Sequence, residues 1–262
     1  MKARSMKAAG ISASLALLFA LLAAAVPPVA SDAHAALAQQ RQRIESADFE
    51  TVGHLVRVDA NGSRTSYGLS MKAHEFSGTL RVLVQITSPT QAREHILIEM
   101  RPGGQSSIEI ARPGDHAPAH LPFDAWTDGP LGHGFSYEDF LEQQYFWPRQ
   151  TLEPEAKFGA RDCNVVISVP SPADRTHYAQ VKTWLDHTIG FPVYAEKTIK
   201  GSDAVKQFTY FGLRHNGGVW SASQMEEKTR GQGGSTLLII DRGSAKANLR
   251  LSDFSSAQLT HF

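Results

Sequence analysis

The feature that most constrains this chain is a two-residue alternation of apolar and polar side chains, broken at short intervals by turn residues. Leu80, Val82, Val84 and Ile86 alternate with Arg81, Leu83, Gln85 and Thr87, and Ile96, Ile98 and Met100 alternate likewise with Leu97, Glu99 and Arg101. Successive side chains on a strand point to opposite faces, so a period of two marks a strand with one face buried. Asp59-Ala60-Asn61-Gly62 separates residues 52–58 from residues 67–76 at hairpin distance, and Arg101-Pro102-Gly103-Gly104 leads into Ser107-Ile108-Glu109-Ile110. Arg112-Pro113-Gly114-Asp115 is a further turn. The rhythm resumes with strands predicted at 151–158, 161–169, 177–186, 191–200, 204–214, 219–229 and 235–242, punctuated by glycine-rich turns at 201–203, 215–218 and 231–234. Consecutive strands joined by such short turns pair antiparallel, and no βαβ alternation intervenes. These runs predict one highly curved antiparallel sheet of many strands, with a helix or two against its concave face. Such a sheet either fills its interior with side chains or encloses a ligand cavity.

One helix is signalled clearly. Ser136 is followed three residues later by Asp139, with Glu138 between them, in the manner of a capping box that places acids at the positive end of a helix. Phe135 and Phe140 hold the positions of a hydrophobic staple, Tyr137, Leu141 and Tyr145 form a stripe at i, i+4 and i+8, and Pro148 ends the run. This predicts an amphipathic helix packed on the sheet. Residues 36–47 are polar and rich in Gln and Arg, and read as a short surface helix or a frayed start. Ser255 with Gln258 caps a last short helix at 255–260.

At the N-terminus, Lys2, Arg4 and Lys7 precede an apolar run from Ile11 to Val26, then Pro27-Pro28 and Ala33-His34-Ala35. That order is the charged, apolar and small-residue sequence of a secretory signal, with cleavage expected after Ala35. The alternative is a transmembrane anchor, but the run falls short of the roughly 20 apolar residues of a span and ends in two prolines. Residues 1–35 are therefore read as a cleaved signal peptide, 36–47 as an N-terminal polar segment and 48–262 as a single domain. Losing Lys2, Arg4, Lys7 and Asp32 turns a net charge of 0 into −2. Such a chain has no global basic field for nucleic acid. The one cysteine, Cys163, has no intramolecular partner, so an exported fold must rest on packing and not on disulfides. Its place in a strand-like run reads as a buried, inert thiol.

The motifs of common chemistries are missing. There is no G-x-S-x-G elbow, H-E-x-x-H helix, P-loop or dinucleotide glycine fingerprint. His116 and His120 are four apart, but Pro118 lies between them in a loop, which fails helical zinc geometry. His133, Ser136 and Asp139 have the residue types of a triad, yet a helix cap explains Ser136 and Asp139 better. Glu226-Glu227 and Glu153/Glu155 read as solvated carboxylates, and Lys228, Arg230 and Arg242 as either a basic rim or a solvated edge. The expectation is no enzyme, no metal and no cofactor.

The second half carries a resemblance. Phe135-Ser-Tyr-Glu-Asp-Phe140, Cys163, residues 178–186 (Tyr-Ala-Gln-Val-Lys-Thr-Trp-Leu-Asp), Phe191-Pro192, Glu196, Lys206, Trp220, Met225-Glu226, Thr236 and Phe254 follow one another in order between Gly132 and Leu259. As a set they resemble the outer-membrane lipoprotein-sorting branch of the LolA/LolB-like family. Gly132-His133-Gly134 departs from the Ser-Asp pair found there in relatives. The resemblance implies a β-rich α+β fold, an incomplete (half-open) antiparallel β-barrel with helices covering the concave face. It also implies a periplasmic carrier that holds acyl chains in an apolar hollow between two membranes, with no cofactor and no catalytic residues. Its partners would be lipid or lipoprotein acyl chains, an inner-membrane exporter and an outer-membrane acceptor. Motif residues look architectural, with Trp184 in the core and Asp186 at a turn.

Candidate lining residues are the strand faces Leu80, Val82, Val84, Ile86, Ile96, Ile98, Met100, Phe208 and Tyr210, covered by the stripe Tyr137, Leu141 and Tyr145. The same residues serve equally as ordinary core, since apolar strand faces are core by default. The rival reading is a cell-envelope protein-interaction module with a solid interior.

Overall fold

The computed structural model describes residues 32–130 and 134–262. The apolar run of the expected signal peptide, and His133, lie outside the described residues. Thirteen strands form one antiparallel sheet: β1 (Asp48–Val58), β2 (Arg64–Phe76), β3 (Thr79–Ser88), β4 (Glu94–Met100), β5 (Ser107–Ala111), β6 (Ala119–His120), β7 (Arg149–Phe158), β8 (Arg161–Val169), β9 (Tyr178–Asp186), β10 (Pro192–Ile199), β11 (Val205–Asn216), β12 (Val219–Thr229) and β13 (Ser235–Ser244). Their order is β6-β5-β4-β3-β2-β1-β13-β12-β11-β10-β9-β8-β7. Neighbours are sequence neighbours everywhere except at β1 and β13, which zip the two halves together. The ends of the sheet are β6 and β7, consecutive in the chain but not paired. The sheet is therefore not closed into a true barrel, and residues 121–148 run from one end to the other.

Local chemistry sets the turns and the bend. Asp59 accepts hydrogen bonds from the backbone N–H groups of Asn61 and Ser63, an Asx turn that fixes the β1–β2 hairpin. At Gly53 the β1–β13 register shifts, and any Cβ there would collide with the carbonyl oxygen of Ile239. Glycine thus lets the two strands come together at the junction of the halves.

Both faces of the sheet are covered, by different parts of the chain. The inner face carries the main core: Leu55, Leu69, Val84, Ile86, Ile96, Ile98, Val166 and Leu185 pack with Leu37 and Ile44 of helix α1 (Ala33–Glu45). Side chains from both arms of the sheet meet in one cluster, which makes this face the concave one. On the opposite face, Leu83, Leu97 and Ala111 pack under Phe254 and Leu259, the latter from helix α2 (Ser256–Thr260). Helix α1 lies against the concave face as expected of a helix there, while the final helix forms where its cap signals place it and covers the convex face. This explains Leu83 and Leu97, which stand at the polar positions of their strands.

Two expectations are corrected. The segment 36–47 is neither frayed nor superficial: α1 begins at the N-cap Asp32, whose carboxylate accepts from the Ala35 N–H at 2.7 Å, and it buries Leu37 completely. Ala33-His34-Ala35, read as the cleavage motif, forms its first turn. The Gln and Arg residues that made it look solvated are fasteners. Arg41 Nε donates to the Tyr145 carbonyl at 2.7 Å, and Gln40 Nε2 to the Gly190 carbonyl at 2.9 Å. Second, residues 136–147 form not one α-helix but two 3₁₀ turns, Tyr137–Phe140 and Gln143–Phe146, with Leu141 extended between them at φ −85° and ψ 124°. The capping interaction and the Phe135–Phe140 contact (4.8 Å, edge-on) are both present, and Tyr137, Leu141 and Tyr145 are buried. The helix fails because its acids are buried too. Glu138 bonds to Thr176 and His177, and Asp139 to the strands opposite, so the segment follows anchors on several sides and not one apolar stripe.

Candidate functional site

A cavity of about 330 Å³ lies between the inner face of the sheet, the C-terminal end of α1 and the Tyr137–Phe140 turn. That volume falls within the roughly 300–1,000 Å³ of small-molecule sites. Of the predicted lining residues, Leu80, Val82, Phe208 and Tyr210 border it. Val84, Ile86, Ile96, Ile98, Met100, Tyr137, Leu141 and Tyr145 do not; they lie packed in the inner-face core. Walls that the sequence reading missed come from Phe49, Met71, Phe140, Phe191, Met225 and Leu238. Several of these stand at inward positions in register: Ala73 of β2 faces Phe49 of β1 and Val82 of β3, and Met225 of β12 faces Tyr210 of β11 and Leu238 of β13. The mouth is formed by the β11–β12 hairpin around Asn216 and Val219 and by residues 242–245, where Arg242, Gly243, Ser244 and Ala245 are exposed.

The other end is closed and charged. Lys197 of β10 and Lys206 of β11 are cross-strand partners, both buried. Like charges directly opposite on a sheet repel. Asp139 bridges them: its Oδ2 accepts from Lys206 Nζ at 2.6 Å, and its Oδ1 accepts from Lys197 Nζ at 3.2 Å and Tyr178 Oη at 2.5 Å. The backbone N–H and the hydroxyl of Ser136 complete the shell, each at 2.8 Å. Burial by itself would raise the Asp139 pKa, but the Lys206 and Lys197 charges outweigh it and hold the carboxyl well below the usual range. Next to this group Glu227 is buried, with its pKa pushed up by that burial. Gly134, at φ +104°, lies against Glu227 and Thr236, leaves no room for a side chain, and gives its carbonyl to Lys206 at 2.8 Å. The motif residues Ser136, Asp139, Tyr178, Lys206 and Thr236 thus gather at one place. There they clamp the connection between the sheet's ends onto β9–β13.

At the rim of the cavity, Arg43 of α1 holds Glu142 through two hydrogen bonds of 2.7 Å. This pair joins α1 to the crossing segment between its two 3₁₀ turns.

The remaining candidates resolve differently. Ser136 and Asp139 touch, but as a capped turn. His116 is exposed on a loop and His120 is exposed in β6, and among the described residues no group of three His, Cys, Asp or Glu could hold a metal ion. Glu226 pairs with Lys228 at 2.9 Å and Glu196 with Arg230, so two of the three basic rim residues have acid partners, while Arg242 borders the cavity mouth. Cys163 is fully buried, and burial with the Asp186 charge pushes its pKa up to about 11. Trp184 is only half-buried, contrary to its expected core position, because it stands one residue out of phase with Leu185 and lies against Tyr194 on the outer face. Asp186 does sit at a turn, accepting from the N–H groups of Thr188 and Ile189. No described helix is long and apolar enough to cross a membrane.

Residues 81–261 match the model of a family described as "-like: Uncharacterized protein". The chain belongs to this family. No curated protein matches the chain. Among solved structures, this family member is similar to one from Vibrio parahaemolyticus described as a "putative outer membrane lipoprotein-sorting protein domain", at 19% identity and a TM-score of 0.77 over 86% of this chain and 97% of that one. It is similar also to a DUF1329 family protein from Desulfovibrio piger, at 14% identity and a TM-score of 0.77 over 85% and 96% of the two chains. A LolA superfamily protein from Nitrosomonas europaea matches at 15% identity and a TM-score of 0.63 over 87% and 99%. At these identities the shared property is the fold: most of the chain has the architecture of these three structures.

Proposed function

We propose that this protein is a periplasmic carrier that takes lipoprotein acyl chains or lipid into its cavity and passes them toward the outer membrane. The observation that carries the reading is the apolar hollow itself, walled by strands and by side chains such as Phe49, Phe140 and Phe208, and open at one end. Each acyl CH₂ removed from water contributes about 0.8 kcal/mol, so a chain of about fourteen carbons offers on the order of 10 kcal/mol before ordering costs. An open mouth leaves part of the chain outside and keeps release possible. The signal-like N-terminus and the similarity to a lipoprotein-sorting domain support the compartment and the cargo class. The partners would be an inner-membrane exporter and an outer-membrane acceptor, and the protein would act by binding and not by catalysis. A protein-interaction module with a solid interior would need this space filled.

The test is mass spectrometry of organic extracts from mature protein purified without detergent. Co-purifying lipid is the expected result. Repeated absence of lipid would contradict the reading.

A further inference from the structure

The charged end of the cavity is more than a clamp. Lys206 Nζ has three acceptors for its three donors: the Gly134 carbonyl at 2.8 Å, Ser136 Oγ at 3.2 Å and Asp139 Oδ2 at 2.6 Å. Lys197 is equally buried, at 4% exposure, but among the described residues its one hydrogen-bond acceptor is Asp139 Oδ1 at 3.2 Å. The rest of its ammonium faces aromatic rings, 4.5 Å from the centroid of Phe208 and 5.0 Å from that of Tyr178. Lys197 and Phe208 both border the cavity, so the spare donors stand at its wall.

The neighbouring charges favour an anion there. Asp139 already receives five hydrogen bonds, two of them from ammonium groups, which leaves its charge compensated. Tyr178 is kept as a neutral phenol by burial and by Asp139. Glu227 stands beyond ion-pair distance of both lysines, and its burial outweighs their pull and raises its pKa. A buried ammonium with one hydrogen bond, to a carboxylate it shares with a second lysine, keeps donors free for a further acceptor.

We propose that the closed end of the cavity is a carboxylate site, in which Lys197 receives the head of a long-chain fatty acid lying with its tail toward the mouth. The proposal rests on the carrier reading and names its ligand class. The geometry suits an extended chain: from Lys206, beside Lys197, to Asn216 at the mouth is ten residues of one strand, at most about 33 Å at about 3.3 Å per residue.

The experiment measures palmitate and hexadecanol binding at pH 8 to the delipidated mature protein and to Lys197→Met. Wild-type protein should prefer palmitate by about tenfold or more, as expected for a buried hydrogen bond to a charged group. In Lys197→Met the preference should collapse to within about twofold of unity. Equal binding of both ligands by the wild type would overturn the carboxylate site and leave the carrier reading standing; binding of neither would overturn both. If the variant does not fold, ¹³C-carboxyl palmitate on the wild type decides. A bound carboxyl that stays ionised to lower pH than the free acid supports the Lys197 contact, and one that does not contradicts it.

Discussion

Asp139 is one residue on which two structural problems converge. Without it, the β10–β11 pair would set two buried lysines against each other, and residues 134–146 would lose the carboxylate that ties them to β9, β10 and β11 at once. Removing one partner of a buried ion pair costs about 3–5 kcal/mol, because the other charge stays buried and unpaired. Asp139→Asn is expected to lose that much stability in urea denaturation at pH 7. The pH dependence follows from the depressed folded pKa. The contribution of Asp139 is complete above the unfolded value of about 3.9 and is lost as pH falls through the folded value, so the gap between wild type and variant narrows by about 1 kcal/mol from pH 7 to pH 3. A gap that stays constant over that range would contradict this assignment. The cluster was half legible. Lys206 and Asp139 stand in the motif set, whereas Lys197 carries no motif, although it follows Val193 and Ala195 at the inward positions of its strand. A lysine that continues an inward apolar series is the sequence signal for a buried charge, and Lys206 before Phe208 repeats it.

At the scale of elements, strands and the last helix were legible and the segments on the concave face were not, for a physical reason. A strand half-buried in a sheet shows its face in a local period of two, and β7–β13 begin and end close to where alternation and glycine turns place them. The elements that cross the concave face obey contacts from far along the chain. In α1 the polar side chains bind backbone carbonyls of β7's neighbourhood and the β9–β10 turn, so a polar composition conceals a buried helix. Between residues 136 and 147, acids at apparently solvent-facing positions are the ones drawn inward. Helix α1 is nevertheless predicted to be integral to the fold. Leu37→Ala, at a fully buried site, should cost about 2–5 kcal/mol in chemical denaturation. A loss below about 0.5 kcal/mol, the range of ordinary surface changes, would show that α1 is dispensable.

For the whole molecule, the decisive features are that the sheet does not close and that its concave face is only partly filled. The alternation identified which face is inward but not where along each strand the interior is occupied. Leu80 and Val82 near one end of β3 border the cavity, while Val84 and Ile86 further along the same face are sealed in the core. The division depends on curvature and on where residues 121–148 and α1 lie, neither of which a local pattern records. The central claim is that the space left over serves a guest. Ala73 offers the direct test, because it is fully buried, borders the cavity and stands between Phe49 and Val82. Ala73→Phe should project a ring into the hollow at a cost of about 1–3 kcal/mol in stability. The measurement is saturable uptake of a fluorescent fatty acid by wild type and by Ala73→Phe, with cooperative unfolding of both as the control. The expected result is uptake by the wild type and a loss of about tenfold or more in the variant, the equivalent of about 1.4 kcal/mol of binding. Equal uptake by the two proteins, or none by the wild type, would contradict a guest in this cavity.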